Sequence, residues 1–524
     1  MRAVISRLLL LLSACLALSS FRAEAAALPS AMLPIYSGSS ALAALARDNL
    51  GNLCIVGSYD STMTVGTDIM GKLGSGIRDI FVLQYTTEGV ELRRGISTSN
   101  SATTVTPTAI ATDDSGNCYI AGTYESGAVS GLGLPATLGQ RDGFVAKWTT
   151  SGTFAWSAQI PAGTGGTAVP TDIAVDSTTG TVFVSGDFST GLAPAGLTPI
   201  TAVGSRDAMI FGLNATTGAF AWGKTFGGTA SGTLANGKRL ALDKTAGNIY
   251  LALEYSGGGL TTPIRLNLTG GQTIAVVRVS YDGRDATYMQ GLVGSTNTMV
   301  NVGGLALDNA GILHIGGNFD GGAIVGPGDA AMDPLGTDTG FLVRMTTDGE
   351  IRSATPFGGI GASVQVRSVG LDPQGRAFLA GTLGGAGLAV PAAATLTRAG
   401  VRDGLAVGFD SSGGIAWARR YGGAGASLIA GGMAVDADGL IYWAGSFSGG
   451  ALTVPSTYPN VSSGSLVAKD MPTLTLTIAS PSNGTVRDGG GDLVCGTSCS
   501  ASYTAGTAVA LTATPATGYV FAGW

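Results

Sequence analysis

I-A-T-D-D-S-G-N-C-Y-I-A-G, Ile110 to Gly122, is the stretch that decides the fold. Apolar residues flank an Asp and a turn ending in Gly, the pattern of two short strands joined by a tight turn. The same phrase begins at Leu45 (L-A-R-D-N-L-G-N-L-C-I-V-G), Ile173 and Leu240, and again at Leu305, Val369 and Met433. Its anchoring acids are Asp48, Asp113, Asp176, Asp243, Asp308, Asp372 and Asp436. Subtraction gives spacings of 65, 63, 67, 65, 64 and 64 residues. A period that steady marks a repeat architecture, in which each unit is one supersecondary element.

Each copy carries a second hairpin, as in R-D-G-F-V-A-K-W-T-T-S-G-T-F-A-W from Arg141 to Trp156. Two hairpins make four strands, and four strands make one blade of a β-propeller. Helical periodicity is absent, which excludes a helical solenoid. The expected fold is therefore all-β: a seven-bladed β-propeller over residues 28–470, followed by a small β-rich module over 471–524. The seventh unit stops after its third strand, Ser465 to Lys469, and a spare strand-like piece, Pro34 to Ser40, precedes the first unit. The N-terminal strand is expected to complete the last blade and close the ring. The Asp-bearing strand is then innermost and the Trp-bearing strand outermost. The long connections between second and third strands share one face, where a ligand is expected.

Composition agrees. The chain has 85 Gly, 45% hydrophobic and 12% charged residues, which suits short strands and many turns and argues against disorder. A net charge of −6 argues against nucleic acid as a partner. Residues 1–27 read as a signal peptide: Arg2 and Arg7, an apolar run from Leu8 to Phe21, then Ala23-Glu24-Ala25. Leu12-Ser13-Ala14-Cys15 offers a competing lipobox, with anchoring at Cys15. Either reading exports the chain to the periplasm, cell surface or medium, with no transmembrane span and as a monomer. Cys54 and Cys118 lie in apolar strand-like runs and read as two separate buried hydrophobes. Cys495 and Cys499, in C-G-T-S-C, read as a local disulfide.

The units D-x-x-G-N-x-Y-x-A-G followed by R-D-G-F-V-A-K resemble the bacterial SBBP-type β-propeller repeat, over roughly Pro34 to Asp470. That resemblance implies an exported or surface propeller and brings no catalytic residues. Blade four departs most, with Gly271-Gln272 where four other blades have Arg-Asp. The tail, with N-G-T-V, C-G-T-S-C and a final G-Y-V-F-A-G-W, resembles the divergent InlB B-type bacterial repeat of surface proteins. Such modules continue past the Gly-Trp, so this one reads as incomplete.

Candidate sites follow from what recurs and what does not. The seven Asp are expected to cap their turns, since an Asp side chain accepts from the backbone two residues on. Calcium is the rival ligand, best placed at Asp436 and Asp438. Arg78, Arg141, Arg206 and Arg402 open third strands near the long-loop face. They are expected to register neighbouring blades, or alternatively to grip an anionic ligand such as an acidic sugar. Trp156, Trp222 and Trp417 are expected to pack between blades. His314, the only His, lies inside a strand and is expected to be a packed histidine; no nucleophile elbow accompanies it. No catalytic, metal or cofactor residue is assigned. The expected role is a non-catalytic binding module for a glycan, peptide or envelope component. The alternatives are a hydrolase or lyase with carboxylates near the axis, and a structural spacer. Glu254, Asp320, Asp329 and Asp333 break the repeat, and their placement discriminates among these.

Overall fold

The computed structural model describes residues 33–37, 40–65, 68–72, 74–87, 89–96, 99–100, 102–228, 232–257, 260, 272–294, 298–321, 324–325, 331–389, 396–450, 452–454, 456–458, 463–470, 473–479, 481–495, 499–504 and 509–524. The signal-peptide and Cys15 readings, and Asp329, lie outside the described residues. The described residues are nearly all β-strand, with one 3-10 turn at Ser130–Leu132 and no α-helix. No helix among them is long and apolar enough to cross a membrane.

Every unit forms the same antiparallel array. Unit 1 orders Ser40–Arg47, Leu53–Tyr59, Asp79–Tyr85 and Glu91–Ile96, each strand bonded to the next. The other units repeat this order. Their first strands are Thr104–Thr112, Ala168–Asp176, Leu234–Asp243, Val300–Leu307, Ala362–Leu371 and Ser427–Val435. First strands touch one another in chain order, and that of unit 7 touches that of unit 1, so the units form a closed ring around an axis. Second and third strands are buried along almost their whole length, because both faces of each sheet pack on neighbouring units. Unit 7 takes its fourth strand from the N-terminal segment, as expected: Leu33–Ser37 pairs antiparallel with Ser463–Asp470, Leu33 opposite Val467 and Tyr36 opposite Gly464.

The recurring residues hold this ring. Asp113 Oδ1 accepts from the N–H groups of Ser115 and Asn117, at 3.0 and 2.9 Å, and Gly116 takes a φ of +81°. Glycine alone adopts that angle without strain, which explains the final Gly of each turn. Tyr119 and Tyr442 donate to Asp113 and Asp436 at 3.0 and 3.3 Å. His314 takes that same position in unit 5, 3.0 Å from Asp308, and burial lowers its pKa. Trp156, Trp222 and Trp417 lie on outermost strands. Trp156 and Trp222 reach the next unit, donating to the carbonyls of Ala215 and Tyr281 at 3.1 and 2.8 Å.

One expectation needs correction. Cys54 and Cys118 are not separate: they form a disulfide joining the second strands of units 1 and 2, with Cα atoms 6.5 Å apart. Cys54 stands six residues after its anchoring Asp and Cys118 five, so alternation points them to opposite faces of their own sheets. Opposite faces of neighbouring sheets meet, and the thiols face each other across the interface. Several of the long connections bond at the outer edge of the preceding unit. Met63–Val65 pairs with Leu33–Ser37, and Ile324–Val325 with Ala286–Gly294. Leu192 bridges Ala162, and Ala389 bridges Gly358. These connections cover sheet edges that would otherwise template aggregation.

Beyond residue 470, Gly484–Asp488 pairs with Val494–Cys495 and Leu511–Pro515, and Thr473–Thr477 pairs with Ser500–Thr504. The expected Cys495–Cys499 bridge is present and, with Val486 and Leu493, makes the small core.

Candidate axial binding cavity

Every first strand carries a β-bulge, and every bulge falls five residues before the anchoring Asp. The bulged residues are Ala43, Thr108, Thr171, Lys238, Gly303, Arg367 and Gly431. A bulge re-aims one side chain out of the ladder, and on innermost strands that side chain faces the axis. The position recurs; the residue does not. A second column lies near the end of each second strand: Ser58, Thr123, Asp187, Glu254, Asn318, Thr382 and Ser446. It locks units together through the next first strand. Ser446 accepts from Leu42 N–H at 2.9 Å and Thr382 from Ala430 N–H at 3.2 Å. Glu254 does the same with a carboxylate, accepting from Val302 N–H at 2.6 Å.

These columns meet in a cavity of about 420 Å³, within the ordinary size of a small-ligand site. Thr108, Thr171, Lys238, Glu254, Asn318 and Arg367 line it, with Arg239 and Asp338. It opens where second strands end and third strands begin. Arg239 spans its floor, donating to the carbonyls of Gly303 (2.7 Å), Lys238 (2.9 Å), Arg367 (3.3 Å) and Thr171 (3.4 Å). Behind it lies Asp172, whose carboxyl is raised by burial against the opposing pull of Arg239.

Most charges here are already answered. Lys238 sits 3.0 Å from Glu254, whose pKa burial raises although Lys238 opposes it. Arg206 is 3.2 Å from Asp187, whose pKa is pushed to about 6 by burial, with Arg206, Lys238 and Arg141 pulling the other way. Arg141 pairs with Glu125 at 2.5 Å. Unit 6 differs. No hydrogen bond or ion pair among the described residues engages the Arg367 or Arg402 guanidinium. Desolvation, then the charges of Arg239 and Arg402, lower the pKa of Arg367.

The four Arg singled out in the sequence thus divide. Arg141 pairs with Glu125 and Arg206 with Asp187, and among the described residues no ion pair engages Arg78 or Arg402. Blade registration runs through their main chain instead. The carbonyls of Arg78, Arg206 and Arg402 accept from Val105, Ala235 and Leu428 in the next unit, at 3.2, 2.9 and 3.0 Å. The adjoining Asp79, Asp142, Asp207 and Asp403 are buried and cap the long connections; Asp142 accepts from Leu138, Gly139 and Ala162 N–H at 2.8–3.1 Å. In unit 5 the Arg place is taken by Asp338, which accepts from Ser363 Oγ. Of the repeat-breaking acids, Glu254 lines the cavity, whereas Asp320 binds Met299 N–H on the exposed rim and Asp333 is exposed. At Asp436, one oxygen is held by the N–H groups of Asp438 and Leu440 and the other by Tyr442; Asp438 is exposed. Among the described residues no group of three His, Cys, Asp or Glu is placed to hold a metal ion.

Known proteins resemble the chain in two ways. Residues 474–524 match the divergent InlB B-repeat domain family. No curated protein matches in sequence. The solved structures similar to it are β-propeller proteins. A quinohemoprotein alcohol dehydrogenase from Pseudomonas putida HK5 is 10% identical, with 85% of this chain and 78% of that one covered and a TM-score of 0.34. A protein of unknown function from Dyadobacter fermentans is 10% identical over 84% and 97% of the two chains, at a TM-score of 0.37. A polysaccharide lyase, an ulvan lyase, gives 10%, 81% and 90%, and 0.37. Likenesses this distant carry no argument about activity. The InlB B-repeat match and the two disulfides are consistent with an extracellular protein.

Proposed function

We propose that the chain is an exported, SBBP-type seven-bladed β-propeller over residues 28–470, with an InlB B-type module behind it. It acts as a non-catalytic binding module of the cell surface, and its ligand, a glycan, peptide or envelope component, sits in the axial cavity. One observation supports this above others: the positions facing the axis recur in every unit while their residues do not. A spacer has no use for such divergence, since identical residues would close the ring equally well.

The test is a glycan and peptide binding screen of the full chain beside Thr108→Trp, which fills the cavity. A ligand retained unchanged by the parent and released by the variant is the expected result. Retention that is indifferent to Thr108→Trp would remove the cavity from the proposal, and no retention at all would favour the spacer. The hydrolase or lyase reading draws on the raised carboxyls of Glu254 and Asp187 beside the axis. It requires a product that appears with the parent and not with Glu254→Gln.

A further inference from the structure

In unit 4 the second-strand column is fully engaged. Glu254 accepts from Val302 N–H at 2.6 Å and from Gln272 Nε2 at 3.2 Å, and it pairs with Lys238 at 3.0 Å. Lys238 is the bulge residue of that unit. One unit on, the corresponding residues are Asn318 and Gly303. The bulge there offers no side chain, and it has room for none, because a Cβ on Gly303 would run into the Val366 carbonyl. Glycine lets the first strands of units 5 and 6 close on each other. It also leaves Asn318 without the partner that Glu254 has. Thr382 and Ser446, in the same column, each accept an N–H of the next first strand. Asn318 does not: among the described residues its carboxamide makes no hydrogen bond. Yet it is only 5% exposed, and it lines the cavity. A buried amide that gives the fold no hydrogen bond lowers stability and stands available to a ligand.

Two further carboxamides stand beside it. Asn301 lies directly opposite Asn318 in the strand register, so both side chains share one face of the unit 5 sheet. Gln365 comes from the first strand of unit 6. All three line the cavity, and among the described residues Asn301 and Gln365 are likewise without hydrogen bonds. The charges around them are mostly spent. Lys238 and Glu254 hold each other, Arg239 is spread over main-chain carbonyls, and Asp338 accepts from Ser363 Oγ. Arg367 is exposed, where solvent screens it. Val302 and Val366 are buried, and the described lining holds no aromatic residue, so an apolar group finds little surface to cover. A carboxamide donates and accepts at once, as neighbouring hydroxyl groups do. Such a wall suits a compact, uncharged, hydroxyl-rich ligand better than a peptide side chain or an anion.

We propose that Asn318, with Asn301 and Gln365, forms a carboxamide subsite of the axial cavity, and that its ligand is a neutral saccharide whose neighbouring hydroxyls exchange hydrogen bonds with these amides. Asn318 is then a specificity-determining residue that serves the ligand and not the ring. The proposal rests on the cavity being the binding site.

Calorimetric titration of the full chain tests it. Cellobiose, mannobiose and galactobiose are the neutral probes, digalacturonate the acidic one, and acetyl-dialanine amide the peptide. A neutral disaccharide is expected to bind more tightly than the acid and the peptide. Asn318→Leu is expected to weaken that binding about tenfold or more, because the hydrogen bonds to the sugar leave with the amide. Asn318→Gln keeps part of the affinity. Asn309→Leu, in the exposed turn at the other end of unit 5, leaves it unchanged. Thermal midpoints without ligand separate binding from packing. Asn318→Leu is expected to melt at or above the parent, whereas Thr382→Val, which loses a bond between units, is expected to melt below it. A lower midpoint in Asn318→Leu makes the residue structural and overturns the proposal. Neutral-sugar binding that is indifferent to Asn318→Leu also overturns it; if Thr108→Trp still releases that sugar, the cavity survives and only the subsite falls. Tighter binding of digalacturonate or of the peptide than of every neutral sugar overturns the ligand class, and the proposal with it. If no probe binds, the subsite falls, and the wider screen decides the cavity separately.

Discussion

Two columns of residues lie toward the same end of the ring, where second strands finish and third strands start. One holds Asp79, Asp142, Asp207 and Asp403; the other holds the seven bulge residues. The first column is Asp in four units, where its task is the same. A buried carboxylate accepts several backbone N–H groups and fixes the end of a long connection, where it enters the third strand. Where unit 5 departs, Thr339 still supplies an acceptor, 2.8 Å from Leu335 N–H. The second column keeps its geometry and varies its chemistry from Gly to Arg. Backbone shape is shared by the units, whereas the axis is a single place that each unit meets from its own side. A repeat protein can therefore fix its fold in one column and its ligand in the neighbouring one.

The largest effect is expected at the Cys54–Cys118 bridge, a stabilising feature that does not recur, so it tests whether recurrence is the only mark of structure. Replacing both by Ser reopens a loop with a sequence separation of 64 and is expected to cost about 4 kcal/mol. The Cys495–Cys499 bridge, with a separation of 4, is worth about 2 kcal/mol by the same reasoning. A reversed order in thermal melts would sink that account. In the first column, Asp142→Ala leaves three N–H groups without their acceptor, that of Ala162 buried and those of Leu138 and Gly139 part-buried, and is expected to cost about 3 kcal/mol of unfolding free energy. Chemical denaturation measures it, and a loss under about 1 kcal/mol would deny the column its structural role.

Asp187 belongs to the divergent columns and is expected to lower stability. Its folded pKa of about 6 lies above the ordinary 3.8, so the folded chain binds its proton more tightly than the unfolded chain. Stability is then highest at acidic pH and falls as pH rises from about 4 to about 6, by about 3 kcal/mol. Asp187→Asn is expected to flatten that slope; an unchanged slope would place the titration elsewhere. The smallest effect is at the opposite end of the first strands. Asp436→Asn keeps one acceptor oxygen and is expected to cost about 1 kcal/mol. Calcium is expected to leave the thermal midpoint of the parent unmoved. A rise that Asp438→Ala abolishes would put an ion at that turn.

Much of the ring was legible because its cause is periodic. Asp, Gly and apolar runs return near every 65 residues, and the closing strand at Pro34 to Ser40 was visible as a piece missing from unit 7. The Cys54–Cys118 bridge was overlooked because each Cys was read within its own strand, as a buried small residue. The clue was an offset of six residues against five from the anchoring Asp, which reverses the face. The cavity escaped for a different reason. A bulge has no composition of its own, so the reading stopped at the conserved-looking Asp and missed the column five residues before it. The long connections have a second task that their length did not disclose: Met63–Val65 and Ile324–Val325 cover sheet edges. Arg141 and Arg206 pair with acids, and Arg367, which lines the cavity, carried no motif.

Ring closure has a mechanical consequence. Leu33–Ser37 runs antiparallel to Ser463–Asp470, with Leu33 beside Val467. The chain before Leu33 and the chain after Asp470 therefore leave the pair at the same end. Tension between them would peel the seam open one hydrogen bond at a time, because the bonds lie across the strands rather than along them. Shear, which loads all bonds together, would act only on pulling from opposite ends. Met63–Val65 grips the other edge of the same strand, so the seam is backed and not free. A pulling experiment through the two ends should show a low first rupture force, followed by unit-sized extensions as the ring unrolls. A single high rupture would show instead that the closing strand holds in shear.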